Sequence, residues 1–438
     1  MQSKRLGILV GGGPAPGINS VIAAATIRSV LQGVEVVGIY DGFKWLKEGN
    51  ISQIRKLDIE DVSRIHFRGG SHIGTSRENP TKSPKDLETV VTSLLQLNID
   101  RLITIGGDDT AYSAYRVEQA AKGRIRVIHV PKTIDNDLDL PHGIPTFGFQ
   151  TARHIGVDIL QNLMVDAKTT SRWYLVVTMG RKAGHLALGI GKAAGATLTI
   201  IPEEFKGDNK LTLKKLVDII VGAVIKRRCD GRQDGIVVLA EGLVELMPQE
   251  DISALQDVER DEHGHIRIAE INLGEILKRQ VRDRLIELNL KTTIVEKNIG
   301  YELRCADPIP FDMEYTRDLG YCAAKFIHQG GNAAMVSMQE GKFVPLYFKD
   351  ILDPKTGKTR VRMVDINSEM YRIARRYMIR LNEDDFKDAH ALAKFAATAS
   401  ISHEDFEEQF KPLIIDESSG KSSANDEKSE SKSKKAKK

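Results

Sequence analysis

Apolar residues in the 438-residue chain fall into short unbroken runs that end in glycine or acidic turns, and between them run segments with helical spacing. Leu6 to Val10 reads as a buried strand leading into Gly11-Gly12-Gly13-Pro14-Ala15-Pro16-Gly17, with a helix predicted from Asn19 to Leu31. Val34 to Ile39 is a second strand. Leu102 to Ile105 precedes Gly106-Gly107-Asp108-Asp109-Thr110 and a helix over Ala111 to Lys122, and the strand Arg126 to Val130 precedes Pro131-Lys132-Thr133-Ile134-Asp135-Asn136-Asp137-Leu138. Thr151 to Ala167 carries Ile155, Ile159 and Leu163 at helical spacing. The pattern then repeats, with strand Trp173 to Thr178, turn Met179-Gly180-Arg181, helix Gly184 to Ala194, strand Leu198 to Ile201, helix Thr212 to Arg228, and strand Gly235 to Ala240 before Glu241-Gly242. A charged excursion (Leu246 to Ile268), helix Leu273 to Leu288, strand Thr292 to Val295, helix Tyr315 to Gln329 and strand Ala334 to Met338 follow. Helices are predicted around Glu369–Leu381 and Asp384–Ala397, and a disordered Lys/Ser-rich tail over 418–438. Strands alternating with helices predict an α/β protein with parallel-rich sheets.

Composition adds little to that picture but removes several alternatives. With 41% hydrophobic and 28% charged residues the chain is ordinary for a globular protein, and its length suggests two or three domains. The net charge is +3, but Lys421 to Lys438 holds seven lysines against Asp426, Glu427 and Glu430, so the remainder sits near −1. Nothing global argues for a nucleic-acid partner. Three cysteines, Cys229, Cys305 and Cys322, lack metal spacing and are odd in number, which fits a reduced cytoplasmic protein. No apolar stretch reaches membrane-spanning length, and Leu6 to Val10 is too short for a signal sequence, so no membrane partner is expected.

The chemistry concentrates at strand ends, where parallel sheets bind ligands. The loop 11–17 is phosphate-sized, yet it is neither the dinucleotide fingerprint nor a P-loop, since position 16 is proline and no Gly-Lys-Ser/Thr follows. Two aspartates at a phosphate turn repel a polyanion unless a divalent cation intervenes, which points to Mg²⁺. Arg68-Gly69-Gly70-Ser71-His72-Ile73-Gly74-Thr75-Ser76-Arg77 can wrap an anion and end on a guanidinium. Asp135 and Asp137, two apart, face one side if that segment is extended, so that one can act as base while the other orients the acceptor or assists the metal. Gly180-Arg181 suits an anion contact, and Tyr301 and Arg304, three apart, can both reach a sugar phosphate. Each of these taken singly is also what an ordinary polar turn looks like.

Together, in this order, they resemble the phosphofructokinase family over residues 4 to about 340, through the glycine loop, Gly106 to Thr110, Pro131 to Asp137, Met179 to Arg181, Ala240 to Gly242 and Tyr301 to Arg304. The resemblance implies two three-layer α/β domains with a cleft between them, 1–143 for the phosphoryl donor and 144–300 for fructose 6-phosphate. A mostly helical segment, 301–415, would return to both. It implies Gly12, Arg77 and Lys132 on the donor, Asp108 at Mg²⁺, and Asp135 as general base for the sugar's C1 hydroxyl beside Thr133 and Asp137. Arg172, Met179, Gly180, Arg181, Glu241, Tyr301 and Arg304 match its sugar-phosphate contacts, Arg172 being supplied by a neighbouring subunit of a homodimer or homotetramer. Phosphoryl transfer needs positioning and charge neutralisation more than covalent chemistry, so these are the expected parts.

Two positions resemble the pyrophosphate-dependent members. ATP-using members carry glycine where this chain has Asp109, whose carboxylate would meet an α-phosphate with bulk and like charge; Lys132 adds a cation where many have glycine. Tyr301 stands where the family often has histidine, and Val295, with Lys297 nearby, where ATP enzymes tend to have an arginine. The expected activity is pyrophosphate-dependent phosphorylation of fructose 6-phosphate. An ATP-dependent enzyme of the same fold, a non-catalytic regulatory subunit, and a kinase for a nucleotide or lipid are the alternatives.

Overall fold

The computed structural model describes residues 5–141, 143–205, 210–248, 250–251, 271–351 and 360–414. Most of the expected charged excursion and the whole 418–438 tail lie outside the described residues. The strands run β1 Arg5–Val10, β2 Glu35–Ile39, β3 Ile54–Leu57, β4 Ile99–Gly106, β5 Arg126–Thr133, β6 Phe147–Gly148, β7 Arg172–Thr178, β8 Leu198–Ile200, β9 Gly235–Ala240, β10 Thr293–Ile299, β11 Ala334–Gln339 and β12 Lys342–Tyr347. The chain divides into two compact units, residues 1–159 with 299–363, and residues 160–298 with 364–438. The division falls inside the continuous helix Phe149–Thr170, whereas the resemblance placed a boundary at 143/144.

The first unit is built on one sheet, ordered β12-β11-β5-β4-β1-β2-β3, with β6 paired to β5. Its centre is parallel, and the two margins are antiparallel through β2–β3 and β11–β12. Side chains of a strand alternate between faces. Thus Leu6, Ile8 and Val10 pack with Ile18, Ile22, Leu319 and Ile327 beneath helices Ile18–Val30 and Pro310–His328. Leu9 turns the other way, into a second core with Val90, Leu94, Ala114 and Val117 from helices Pro84–Gln96 and Asp108–Ala121. This is the expected three-layer arrangement.

The second unit has a four-stranded sheet, β10-β7-β9-β8. Helix Leu213–Cys229 packs against it and is buried on most of its circumference, because helices Leu273–Glu287, Ala389–Thr398 and His403–Phe410 cover the remainder. Phe395, Phe406 and Phe410 stack there, with ring centroids 5.9 Å and 4.7 Å apart. Three margins differ from expectation. β12 adds a strand to a region read as mostly helical; Pro310, a suitable first-turn residue, starts a helix expected at Tyr315; and the helix expected over Asp384–Ala397 breaks at Asp388, which caps the second piece through His390 and Ala391 N–H.

Candidate active site

In the first unit, register alone brings together the motifs expected to bind the donor. Val10 pairs with Ile105, Ile105 with Val130, and Gly106 with Pro131, so the glycine loop and the aspartate turn leave, and Lys132 lies at, the carboxyl ends of three adjacent parallel strands. Ser76 bridges to Gly11, its carbonyl accepting from Gly12 N–H at 2.8 Å, which sets Arg77 beside the loop as an exposed residue. Thr75 Oγ1 donates to the Gly12 carbonyl at 2.7 Å. Thr110 approaches so closely that a Cβ on either Gly11 or Gly106 would collide with it. These glycines are required by that approach rather than by a phosphate.

Lys132 is 4% exposed, within β5 rather than in the loop after it, and its ammonium donates to the Gly13 carbonyl. Arg304, on the single-turn helix Tyr301–Arg304, lies against the other side of Gly13, where any Cβ would overlap its guanidinium. The sequence grouped Arg304 with the sugar phosphate; in the structure its guanidinium also lies beside Gly13 of the glycine loop, while Tyr301 is 78% exposed. Asp108 and Asp109 are the first two residues of helix Asp108–Ala121, Asp108 half-buried and Asp109 exposed. Among the described residues no three metal-ligating side chains cluster. One carboxylate beside a phosphate-sized loop fits Mg²⁺, which takes few protein ligands and completes its shell with substrate phosphates and water.

The turn is braced from beneath. His129 is completely buried, and Gly106 C=O, which can only accept, takes its Nε2–H at 3.0 Å while Thr104 Oγ1 lies 2.8 Å from Nδ1. Burial pushes this imidazole down to about 3, despite the Gly106 hydrogen bond and with Lys132 adding to the drop.

The loop expected to receive the acceptor departs from its expected form. Asp135 and Asp137 do not lie on an extended segment, because Asn136 between them has φ 58°. The chain turns there, leaving Asp135 4% exposed and Asp137 half-buried. Asp135 N–H donates to Thr133 Oγ1 at 3.1 Å, and Thr146 Oγ1 donates to the Thr133 carbonyl at 2.7 Å.

In the second unit Thr178 pairs with Ala240, so the turn after β7 lies beside Glu241. One carboxylate oxygen of Glu241 accepts from Gly180 N–H at 3.0 Å and Arg181 N–H at 2.7 Å. Arg181 is held at φ 50° with its side chain exposed, and a Cβ on Gly242 would strike its carbonyl. Glu241 therefore shapes the Met179-Gly180-Arg181 turn. Arg172 Nε lies 3.7 Å from Asp166, whose carboxylate also accepts from Tyr174 OH at 2.5 Å.

Residues 5–327 match the family model for phosphofructokinase. The chain belongs to the phosphofructokinase family. Among relatives, a pyrophosphate–fructose 6-phosphate 1-phosphotransferase of Thermotoga maritima is 53% identical over 414 residues, 93% of this chain and 98% of that one. One of the same description from Naegleria fowleri is 50% identical, with 93% and 95% covered. A solved pyrophosphate-dependent phosphofructokinase from Nitrosospira multiformis aligns with a TM-score of 0.63 at 18% identity, covering 86% and 91%, and supports the fold. Three supports of the family's loops gave no signal in the sequence: His129, Asp312 and Arg362. Each acts on a partner distant in the chain or through a backbone group, and Arg362 lies beyond the family match.

Proposed function

We propose that the chain reversibly transfers a phosphoryl group from pyrophosphate to the C1 hydroxyl of fructose 6-phosphate, giving fructose 1,6-bisphosphate and phosphate. The observation that carries this reading is the convergence of Lys132, the glycine loop and the Asp108–Asp109 turn on three adjacent strand ends. Gly12, Arg77 and Lys132 receive the donor, the lysine holding a fixed positive charge against phosphate oxygens. Asp135 accepts the C1 hydroxyl proton, and Thr133 and Asp137 orient the sugar. Met179, Gly180, Arg181, Glu241, Tyr301 and Arg304 bind the sugar phosphate, and Arg172 serves the neighbouring subunit of a homodimer or homotetramer. Asp108 would hold Mg²⁺, which when bound supplies charge neutralisation on the donor phosphates.

Asp109 distinguishes the donor, since its carboxylate occupies the helix start that a nucleotide's α-phosphate would have to pass. The proposed setting is the cytoplasm, with small molecules as substrates; no described helix is long and apolar enough to cross a membrane. The test is product formation from fructose 6-phosphate and Mg²⁺ with pyrophosphate or ATP. Turnover with pyrophosphate that stops on chelating the metal is the expected result; product with ATP alone overturns the donor, and silence with both overturns the catalytic reading.

A further inference from the structure

We propose that Arg362 is a positioning residue for phosphoryl transfer, fixing the loop that carries Asp135 and Asp137. Between the end of β5 at Thr133 and the start of β6 at Phe147 the described residues form no helix or regular strand, so no sheet ladder holds their backbone groups. Most of that work converges on one side chain. Arg362 Nε donates to the Asn136 carbonyl at 3.1 Å and Nη2 to Asn136 Oδ1 at 2.5 Å, while Nη1 reaches the carbonyls of Leu140 at 3.3 Å and Ile144 at 2.8 Å. Its own N–H donates to the Asp137 carbonyl at 2.8 Å, and Val361 bridges Leu138. Asn136 Oδ1 also accepts from Thr146 N–H at 3.0 Å, closing the loop on itself.

The clasped residue is the one whose backbone needs holding. Asn136 sits in the left-handed region between the two aspartates, a conformation uncommon for a residue with a Cβ, and its turn sets the directions of both carboxylates. Arginine suits the task because a planar fork of five donors can serve several acceptors at once. A lysine at this position would radiate its donors from one atom and could not span three residues' carbonyls. The guanidinium is directed at the loop's carbonyls and the Asn136 side chain, so its effect on the reaction passes through the placement of Asp135 and Asp137.

The consequence for turnover rests on the phosphotransferase reading; the clasp itself does not. Full-length Arg362→Ala and Arg362→Lys are compared with wild type by hydrogen exchange over 126–146, by thermal melting, and by kcat and KM with pyrophosphate. In Arg362→Ala, exchange over 134–146 should rise by about tenfold or more, as for loss of one or two hydrogen bonds, while 126–130 in β5 stays protected. kcat should fall by about a hundredfold, the scale of a 1 Å misplacement, with the KM for pyrophosphate changed less than twofold. Added guanidinium ion should restore part of kcat in the alanine variant, and lysine should recover less than arginine. If the alanine variant does not fold, exchange in Arg362→Lys decides the matter. Unchanged exchange in a folded variant, or unchanged kcat, overturns the positioning role. A wild-type chain silent with pyrophosphate overturns the functional reading instead, and the exchange pattern still decides the clasp.

Discussion

Replacing Asp109 with glycine tests donor selection at the residue proposed to favour pyrophosphate over a nucleotide. A carboxylate about 4 Å from a phosphate oxygen opposes it by about 4 kcal/mol at an effective dielectric near 20. Because Asp109 is exposed, salt and water reduce this to roughly 1–2 kcal/mol, or about 5–30-fold in nucleotide affinity, before any steric relief is counted. The stability cost is modest. Asp109 is the second residue of helix Asp108–Ala121, where an acidic side chain is worth about 0.3–1 kcal/mol against the dipole, and glycine adds a few tenths in helix propensity. Ser113 keeps its bond to the residue 109 carbonyl, 2.8 Å in the native chain, because that acceptor is backbone. Asp109→Gly should therefore fold and raise the ATP-to-pyrophosphate ratio of kcat/KM at least tenfold. Fructose 1,6-bisphosphate formation with each donor, together with ATP titration by calorimetry, reads this directly. A folded variant that neither binds ATP better nor turns it over refutes the steric and charge argument, and Asp109→Gly with Lys132→Gly extends the test to the cation.

Other sites give independent checks. Glu241→Ala leaves Gly180 and Arg181 N–H without their carboxylate and should raise the KM for fructose 6-phosphate about tenfold or more, whereas Glu241→Gln, which keeps an acceptor oxygen, should lose less. Asp312→Asn should lower the melting temperature, at a cost of about 1–3 kcal/mol. Gly148 N–H donates to one carboxylate oxygen and Thr151 N–H and Oγ1 to the other, at 2.9, 2.8 and 2.6 Å, so either amide orientation turns an NH₂ toward a donor. For His129 the folded chain binds fewer protons than the unfolded one between pH about 3 and 6.5, so its contribution to stability is present above pH 6.5 and is lost as pH falls through that window. His129→Gln should flatten denaturation midpoints there by up to one proton, about 1.4 kcal/mol per pH unit; an unchanged slope would mean the imidazole is not held neutral.

What the sequence revealed followed the range of the forces involved. Buried strands such as Leu6 to Val10 and Leu102 to Ile105 were legible because a hydrophobic run and its terminating glycines are local features. β3 and β12 were not, since both are antiparallel margins in which Leu57 is the one buried residue. The order of the donor motifs was readable, and strand register then placed them side by side. The bend at Asn136 was not, because a left-handed asparagine is selected by the Thr146 N–H that donates to its side chain and by a guanidinium 226 positions away. Arg304 was legible as a functional candidate, but its approach to Gly13 was not, since its spacing from Tyr301 carried no information about the glycine loop.

Strand-end loops face a particular difficulty: they must be fixed, yet the sheet that ends beneath them offers no further ladder bonds. Here the segment returning to the first unit after residue 299 supplies the missing partners. Arg304 lies on Gly13, Asp312 takes the N–H groups of Gly148 and Thr151, and Arg362 gathers the carbonyls from Asn136 to Ile144. The three fall within residues 304–362, and each engages a different stretch of the same unit. It follows that an acceptor loop transplanted alone from a relative would bring Asp135 and Asp137 without the groups that aim them. Its activity should depend on whether position 362, and the asparagine it grips, came with it.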